Sequence, residues 1–284
     1  MQKAILVTGA SSGIGEATAV HLAQSGFKVF AAARRLEKMQ ELTGLAGGRI
    51  TPVSMDVTDE LSIAEALDQI KSQTKSIYGV VNNAGVSILG PCETVPADEW
   101  RRQYETNVFG LMNVTRAVLP DMRAAGAGRI VNIGSVAGRI VTPFMGVYGS
   151  SKHAVEGLSD GLRRELAPFG VKVSVVRPGF INTPFGHQEQ EALEKYTDDN
   201  PYADQVRVFK HWHARQHPTG ASPMVVAEAV HKALTAARPH SRYTAPTKNL
   251  GILMIRNLMP SAIADRIIER TTGLSEIHKP GKMQ

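Results

Sequence analysis

Apolar residues in this chain gather into short unbroken runs at 3–8, 27–33, 50–55, 77–82, 129–134 and 171–177, with a weaker one at 242–246. Between them, apolar positions recur at helical spacing near 13–25, 35–45, 60–74, 97–125, 148–168 and 223–237. Unbroken runs of strand length predict strands covered on both faces, and the helical spacing predicts helices with one apolar stripe. Strand and helix in alternation predict a parallel sheet with helices packed on both sides. The expected class is therefore α/β, a doubly wound parallel sheet of about seven strands in a single domain.

Two stretches break the alternation. Residues 184–221 are rich in His, Asp, Glu and Gln, with Tyr196, Tyr202, Phe209 and Trp212 among them. They follow the sixth strand, at the end where open α/β sheets bind ligands, and read as a mobile substrate lid. In the second stretch, Leu250, Leu253, Ile255, Ile263, Ile267 and Ile268 fall at mixed helical spacings, and Pro260 splits it into two short helices. The expected organisation is a catalytic unit over 1–247 and a helical extension over 248–284. That extension could cover a pocket, meet a second subunit or lie on a membrane.

Composition narrows the class. At 284 residues and 43% hydrophobic content the chain can bury a full core. One cysteine, Cys92, rules out an internal disulfide framework and reads as a buried or inert thiol. No apolar run reaches the roughly 18 residues of a spanning helix, and the chain enters its first strand without a signal-peptide pattern. The expectation is a soluble, cytoplasmic protein. The net charge of +6 is uneven: eight Lys/Arg against three Asp/Glu fall between Arg238 and Gln284. A near-neutral remainder argues against nucleic acid as partner, whereas the basic extension could touch anionic lipid peripherally.

The candidate chemistry begins at Gly9-Ala10-Ser11-Ser12-Gly13-Ile14-Gly15, between the first strand and the first helix. Glycines there let the backbone approach a pyrophosphate, and the helix start offers free N–H groups and a positive dipole end. The spacing is Gly-x-x-x-Gly-x-Gly, and a tight turn with close helix packing accounts for the same residues. The second strand ends in Ala33, Arg34 and Arg35, with no carboxylate to hold a ribose hydroxyl. A guanidinium matches a phosphate. Further on, Tyr148 and Lys152 stand four apart on one predicted helix face, downstream of Ser135. An ammonium beside a phenol favours the phenolate, which lowers a pKa normally about 10. His211, His213 and His217 invite a metal reading that no carboxylate or thiol cluster completes, so no metal is expected.

Taken in order, the glycine turn, Asn83-Ala84-Gly85, Asn107, Ser135, Tyr148, Lys152, Pro178-Gly179 and Thr183 resemble the short-chain dehydrogenase/reductase family over roughly residues 3–245. The resemblance implies a Rossmann-type fold and hydride exchange between a nicotinamide cofactor and a carbonyl or alcohol. It assigns Tyr148 as general acid/base, Lys152 to the ribose and the Tyr148 pKa, Ser135 to the substrate oxygen and Asn107 to a proton relay. It places Arg34 at the 2′-phosphate of NADP(H), Asp56-Val57 at the adenine, Asn83-Ala84-Gly85 along the cofactor and Thr183 at the carboxamide. Around the presumed reaction centre, Val141, Phe144, Met145, Phe180 and Phe185 favour a small hydrophobic substrate. The pattern looks most like the 17β-hydroxysteroid dehydrogenase-like and retinol dehydrogenase-like branch. A 3-oxoacyl thioester reductase and a non-catalytic NADP(H)-sensing protein are the alternatives. Family members pair through their two long helices, so a homodimer or homotetramer is expected.

Overall fold

A computed structural model describes residues 2–216 and 218–277. Seven strands, β1 Ala4–Thr8, β2 Lys28–Ala33, β3 Ile50–Ser54, β4 Ile77–Asn82, β5 Gly128–Ile133, β6 Val171–Pro178 and β7 Arg242–Ala245, form one sheet in the order β3-β2-β1-β4-β5-β6-β7. Every pairing is parallel, with Val7 opposite Ala31 on one side and Val81 on the other. The chain winds outward from β1 to β3 and then returns to place β4 on the other flank of β1. That reversal opens a crevice beyond the carboxyl ends of β1 and β4.

Strand side chains alternate between two cores. Ile5 and Val7 pack with α1 (Gly13–Gln24), α2 (Glu37–Thr43) and α9 (Met224–Thr235), while Ala4 and Leu6 pack with α3 (Glu60–Lys71), α5 (Leu111–Ala124) and α6 (Gly146–Glu165). Burial on both faces explains the unbroken apolar runs. Helix α3 starts where Asp59 accepts from the N–H groups of Leu61 and Ser62.

The helix expected over 97–125 is not uniform. It runs as α4 (Ala97–Tyr104), a wider π-helical turn over Glu105–Gly110, and then α5. Asn107 in that turn accepts from Val86 N–H at 2.8 Å and donates to Val86 C=O at 3.0 Å, so its side chain is spent on the loop after β4. A π turn of this kind commonly marks a functional site.

The segment over 184–221 is ordered into α7 (Pro184–Glu194) and α8 (Ala203–Ala214). With the loop after β4 these helices build a third apolar cluster, where Leu193, Tyr196, Val206 and Phe209 meet Ile88, Leu89 and Tyr148. The extension forms α10 (Asn249–Leu258) and α11 (Ser261–Thr272), divided at Pro260, and α11 contacts α8. Cys92 is exposed, not buried. Among the described residues no helix is long and apolar enough to cross a membrane.

Candidate active site

The glycine turn is held open by backbone geometry. Gly9 and Gly13 sit at φ +65° and +60°, a region that favours glycine. A Cβ on Gly9 would meet Ala84 Cα at 2.8 Å. The turn is tied to β4: Asn83 donates from Nδ2 to the carbonyls of Thr8 and Gly9, and Thr8 Oγ1 accepts from the N–H groups of Asn83 and Ala84. Ser12 begins α1 without a side-chain cap, leaving the first-turn N–H groups beside the crevice. Gly15 faces inward, where a Cβ would stand 2.2 Å from Gly9 O, so its part is helix packing and it does not line the crevice.

One cavity of about 920 Å³ runs from this turn across the sheet's carboxyl edge. Its first end is lined by Gly9, Ser11, Ser12, Gly13, Ile14, Arg34, Arg35, Asp56, Val57, Asn83, Ala84 and Gly85, and its middle by Ser135, Tyr148, Lys152, Pro178, Gly179 and Thr183. The far end holds Met145, Phe180, Phe185, Glu189, Trp212, Ile267 and Ile268. The first two sets fit a nicotinamide dinucleotide: a glycine cradle without Cβ atoms, a helix start for the pyrophosphate, and two exposed guanidiniums at the end of β2.

Helix α6 brings Tyr148 and Lys152 to the middle of this cavity, and the turn after β5 brings Ser135. Ser135 Oγ accepts from Ala137 N–H at 3.0 Å, and Ser135 lines the same cavity as Tyr148. Lys152 Nζ donates to Ile133 C=O at 2.8 Å and lies 5.8 Å from the centre of the Tyr148 ring. The electrostatics differ from the expected phenolate. Burial pushes the phenol well above its ordinary value, the Glu189 carboxylate pushes the same way, and the Ser135 hydrogen bond opposes them. Burial lowers the Lys152 ammonium to about 8. Desolvation is the largest of these effects, and Tyr148 is held as a neutral phenol.

Other expectations shift as well. Asn107 is buried outside the lining, with its amide on Val86 and on Ser151 Oγ at 3.3 Å. Val141 packs on Gly149 and Phe144 stacks on Phe209 at 5.4 Å, so neither lines the cavity. Met145, Phe180 and Phe185 do, with Phe185 6.3 Å from the Tyr148 ring. His213 is fully buried against Glu189, and among the described residues no cluster of His, Cys, Asp or Glu could hold a metal. His217 lies outside the described residues. The reading from sequence missed Glu189, Trp212, Ile267 and Ile268. One signal was available: Glu189 shares the inward stripe of α7 with Gly186 and Leu193, an odd place for a charge.

Residues 3–194 match the family model for short chain dehydrogenase. The chain is a short-chain dehydrogenase. This short-chain dehydrogenase is 33% identical over 270 residues to the uncharacterized oxidoreductase YbbO of Escherichia coli (strain K12), covering 95% of each chain. It is 35% identical over 239 residues to the 3-ketodihydrosphingosine reductase of Bacteroides thetaiotaomicron, covering 84% of this chain and 86% of that one. It is 34% identical over 288 residues to mitochondrial D-beta-hydroxybutyrate dehydrogenase of Mus musculus, covering 93% and 83%. Among solved structures it resembles a closed serine dehydrogenase complexed with NADP+, at TM-score 0.74 and 31% identity over 85% of this chain and 93% of that one. It also resembles a Burkholderia phymatum family member in complex with NAD, at TM-score 0.79 and 27% identity over 90% and 93%. Nicotinamide cofactors of both kinds thus occur among its structural neighbours.

Proposed function

We propose that this short-chain dehydrogenase is an NADP(H)-dependent oxidoreductase acting on the carbonyl or secondary alcohol of a hydrophobic, steroid-, retinoid- or lipid-like molecule, as in the 17β-hydroxysteroid and retinol dehydrogenase-like branch. One observation carries the reading: a single cavity joins the glycine cradle and Arg34/Arg35 to Ser135, Tyr148 and Lys152, and then to aromatic and aliphatic walls. A bound nicotinamide dinucleotide supplies or accepts the hydride. Tyr148 gives its proton to the carbonyl oxygen in reduction, Ser135 holds that oxygen, and Lys152 offsets the charge left on the phenol. Asn107 is a positioning residue that fixes the loop carrying Asn83-Ala84-Gly85 and Val86. Asp56, Val57 and Thr183, which line the cavity, would help hold the cofactor, and α7, α8 and α11 would cover the substrate as lid and roof.

Arg34 and Arg35 support the preference for the 2′-phosphate. In fluorescence titration NADPH is expected to bind more tightly than NADH, with Arg34→Ala closing most of the gap; equal affinities in the intact protein would sink the preference. The relative named for 3-ketodihydrosphingosine reduction and the apolar far wall both support a lipid-like ketone. A panel of steroids, retinal and acetoacetyl thioesters tests the class, and turnover of the thioester alone would move the assignment to a 3-oxoacyl reductase. Pairing through the faces of α4, α5 and α6, as a homodimer or homotetramer, belongs to the same proposal.

A further inference from the structure

The far wall of the cavity comes partly from the extension. Ile267, Ile268 and Thr271 of α11 line it together with Trp212 of α8. Phe185 stands 6.3 Å from the Tyr148 ring and lines the same cavity, so the apolar wall begins at the reaction centre and reaches α11. Residues four apart share a helix face, which puts Ile263, Ile267 and Thr271 in one row along α11. From the first to the last of them the helix rises about 12 Å. Ile267 and Thr271 belong to the cavity lining, whereas Ile263, at the other end of the row, is 48% exposed and lies beyond that lining. The row therefore leads from the cavity out to the surface. A surface helix ordinarily turns polar residues to water, and here the outer positions are isoleucines. The Thr271 hydroxyl donates to Ile267 C=O at 2.7 Å, so it is taken up by the helix itself. What the row offers a ligand is apolar surface one side chain wide. A fused-ring molecule can fill only the enclosed part of the cavity, but an unbranched alkyl chain can follow the row outward.

We propose that Ile263, Ile267 and Thr271 form a subsite for the tail of an unbranched long-chain ketone or secondary alcohol, whose reacting carbon stands at Tyr148 and whose far end emerges over Ile263. The proposal rests on the oxidoreductase reading above and narrows its hydrophobic substrates to one shape.

A homologous series tests it: hexan-2-one, octan-2-one, decan-2-one and dodecan-2-one, each below its solubility limit, with estrone as a rigid ketone. In each reduction the carbonyl carbon takes hydride from added NADPH or NADH and the oxygen takes a proton through Tyr148, giving the secondary alcohol and the oxidised cofactor. A methylene taken fully out of water is worth about fourfold, and a half-covered one about twofold. The value of kcat/KM is therefore expected to rise about two- to fourfold per methylene through dodecan-2-one. Most of the rise should fall in KM, since the tail is held alike in ground and transition states. Estrone should fall below dodecan-2-one. Ile263→Gln should cut the ratio of dodecan-2-one to hexan-2-one several-fold, whereas Leu61→Gln, an equal loss at a 76% exposed position on α3, should leave the ratio alone. A plateau from hexan-2-one onward, estrone above dodecan-2-one, or an unchanged ratio in I263Q overturns the proposal, and a ratio within one protein does not depend on how much of it folds. Tryptophan fluorescence gives a second readout with NADP+ present, because Trp212 lines the cavity. If no ketone oxidises either cofactor yet dodecan-2-one changes the emission, hexan-2-one does not, and I263Q abolishes the change, the oxidoreductase reading fails and the tail site stands. Absence of both turnover and fluorescence change ends the proposal.

Discussion

At the scale of single residues, burial decides the chemistry of Tyr148 and Lys152. Desolvation works against charge on either one, raising the phenol and lowering the ammonium to about 8. At neutral pH the pair is a neutral phenol beside a cation, the form that can donate a proton. Below about 8 Lys152 is charged and can stabilise the phenolate left by proton donation; above it that help is lost. Reductive kcat/KM, which reports the free enzyme, is therefore expected to fall as pH rises through about 8. A profile flat across that range would remove Lys152 from the reaction. Tyr148→Phe should lower turnover by about 10²–10⁴-fold while NADPH still titrates, and near-normal turnover would reassign the acid. That these two residues share one helix face was legible as spacing in the chain, whereas their proposed roles came from the family resemblance. Their protonation was not, because it depends on how much water the fold removes from them. Glu189 was illegible for a related reason: its neighbours Ser87 and His213 come from other elements.

Elements show where local pattern gives way to tertiary contact. Strands were readable because each is apolar on both faces, and the break at Pro260 because proline cannot continue a helix. The π turn over Glu105–Gly110 was not readable, since its contacts are tertiary: Asn107 bonds the N–H and C=O of Val86, and Gln103 of the preceding α4 bonds Val86 C=O and Ile88 N–H. Helix α6 is fastened in a similar way. Glu156, one turn beyond Lys152, holds Arg177 of β6 at 2.6 and 2.8 Å and Arg242 of β7 at 3.0 Å. Glu156→Gln would leave two guanidiniums without this carboxylate, and a loss of about 3–5 kcal/mol is expected in urea denaturation. A loss under about 1 kcal/mol would mean the arginines find other partners. Asp160 adds a pH signature to the same corner. The hydrogen bond from Arg242 holds its carboxyl at about 2, below the usual 3.8. Its stabilisation is full above the unfolded value and disappears as pH falls through about 2, so Asp160→Asn should flatten the acid limb of the melting temperature.

For the whole molecule, the extension joins the pocket to the surface. Ile267 and Ile268 of α11 line the cavity, while Leu250, Met254, Ile255, Ile263 and Ile267 are among the most exposed large apolar side chains in the described residues. Half of the ten such side chains among the described residues fall within two short helices at the cavity roof. The excess of eight Lys/Arg over three Asp/Glu from residue 238 onward occupies the same part of the sequence. Apolar side chains with basic neighbours suit an interface with anionic lipid, each basic residue near the surface adding about 1 kcal/mol. A roof that also meets lipid would let an apolar substrate reach Tyr148 with little passage through water. Flotation with phosphatidylglycerol vesicles at low salt is expected to carry the protein upward, and Met254→Glu combined with Ile255→Glu should abolish it. Phosphatidylcholine vesicles should carry less, because the charge attraction is missing. If instead the doubly substituted protein floats normally and light scattering shows its oligomer dissociated, these side chains are a contact between copies of the chain, and the route to Tyr148 opens through water.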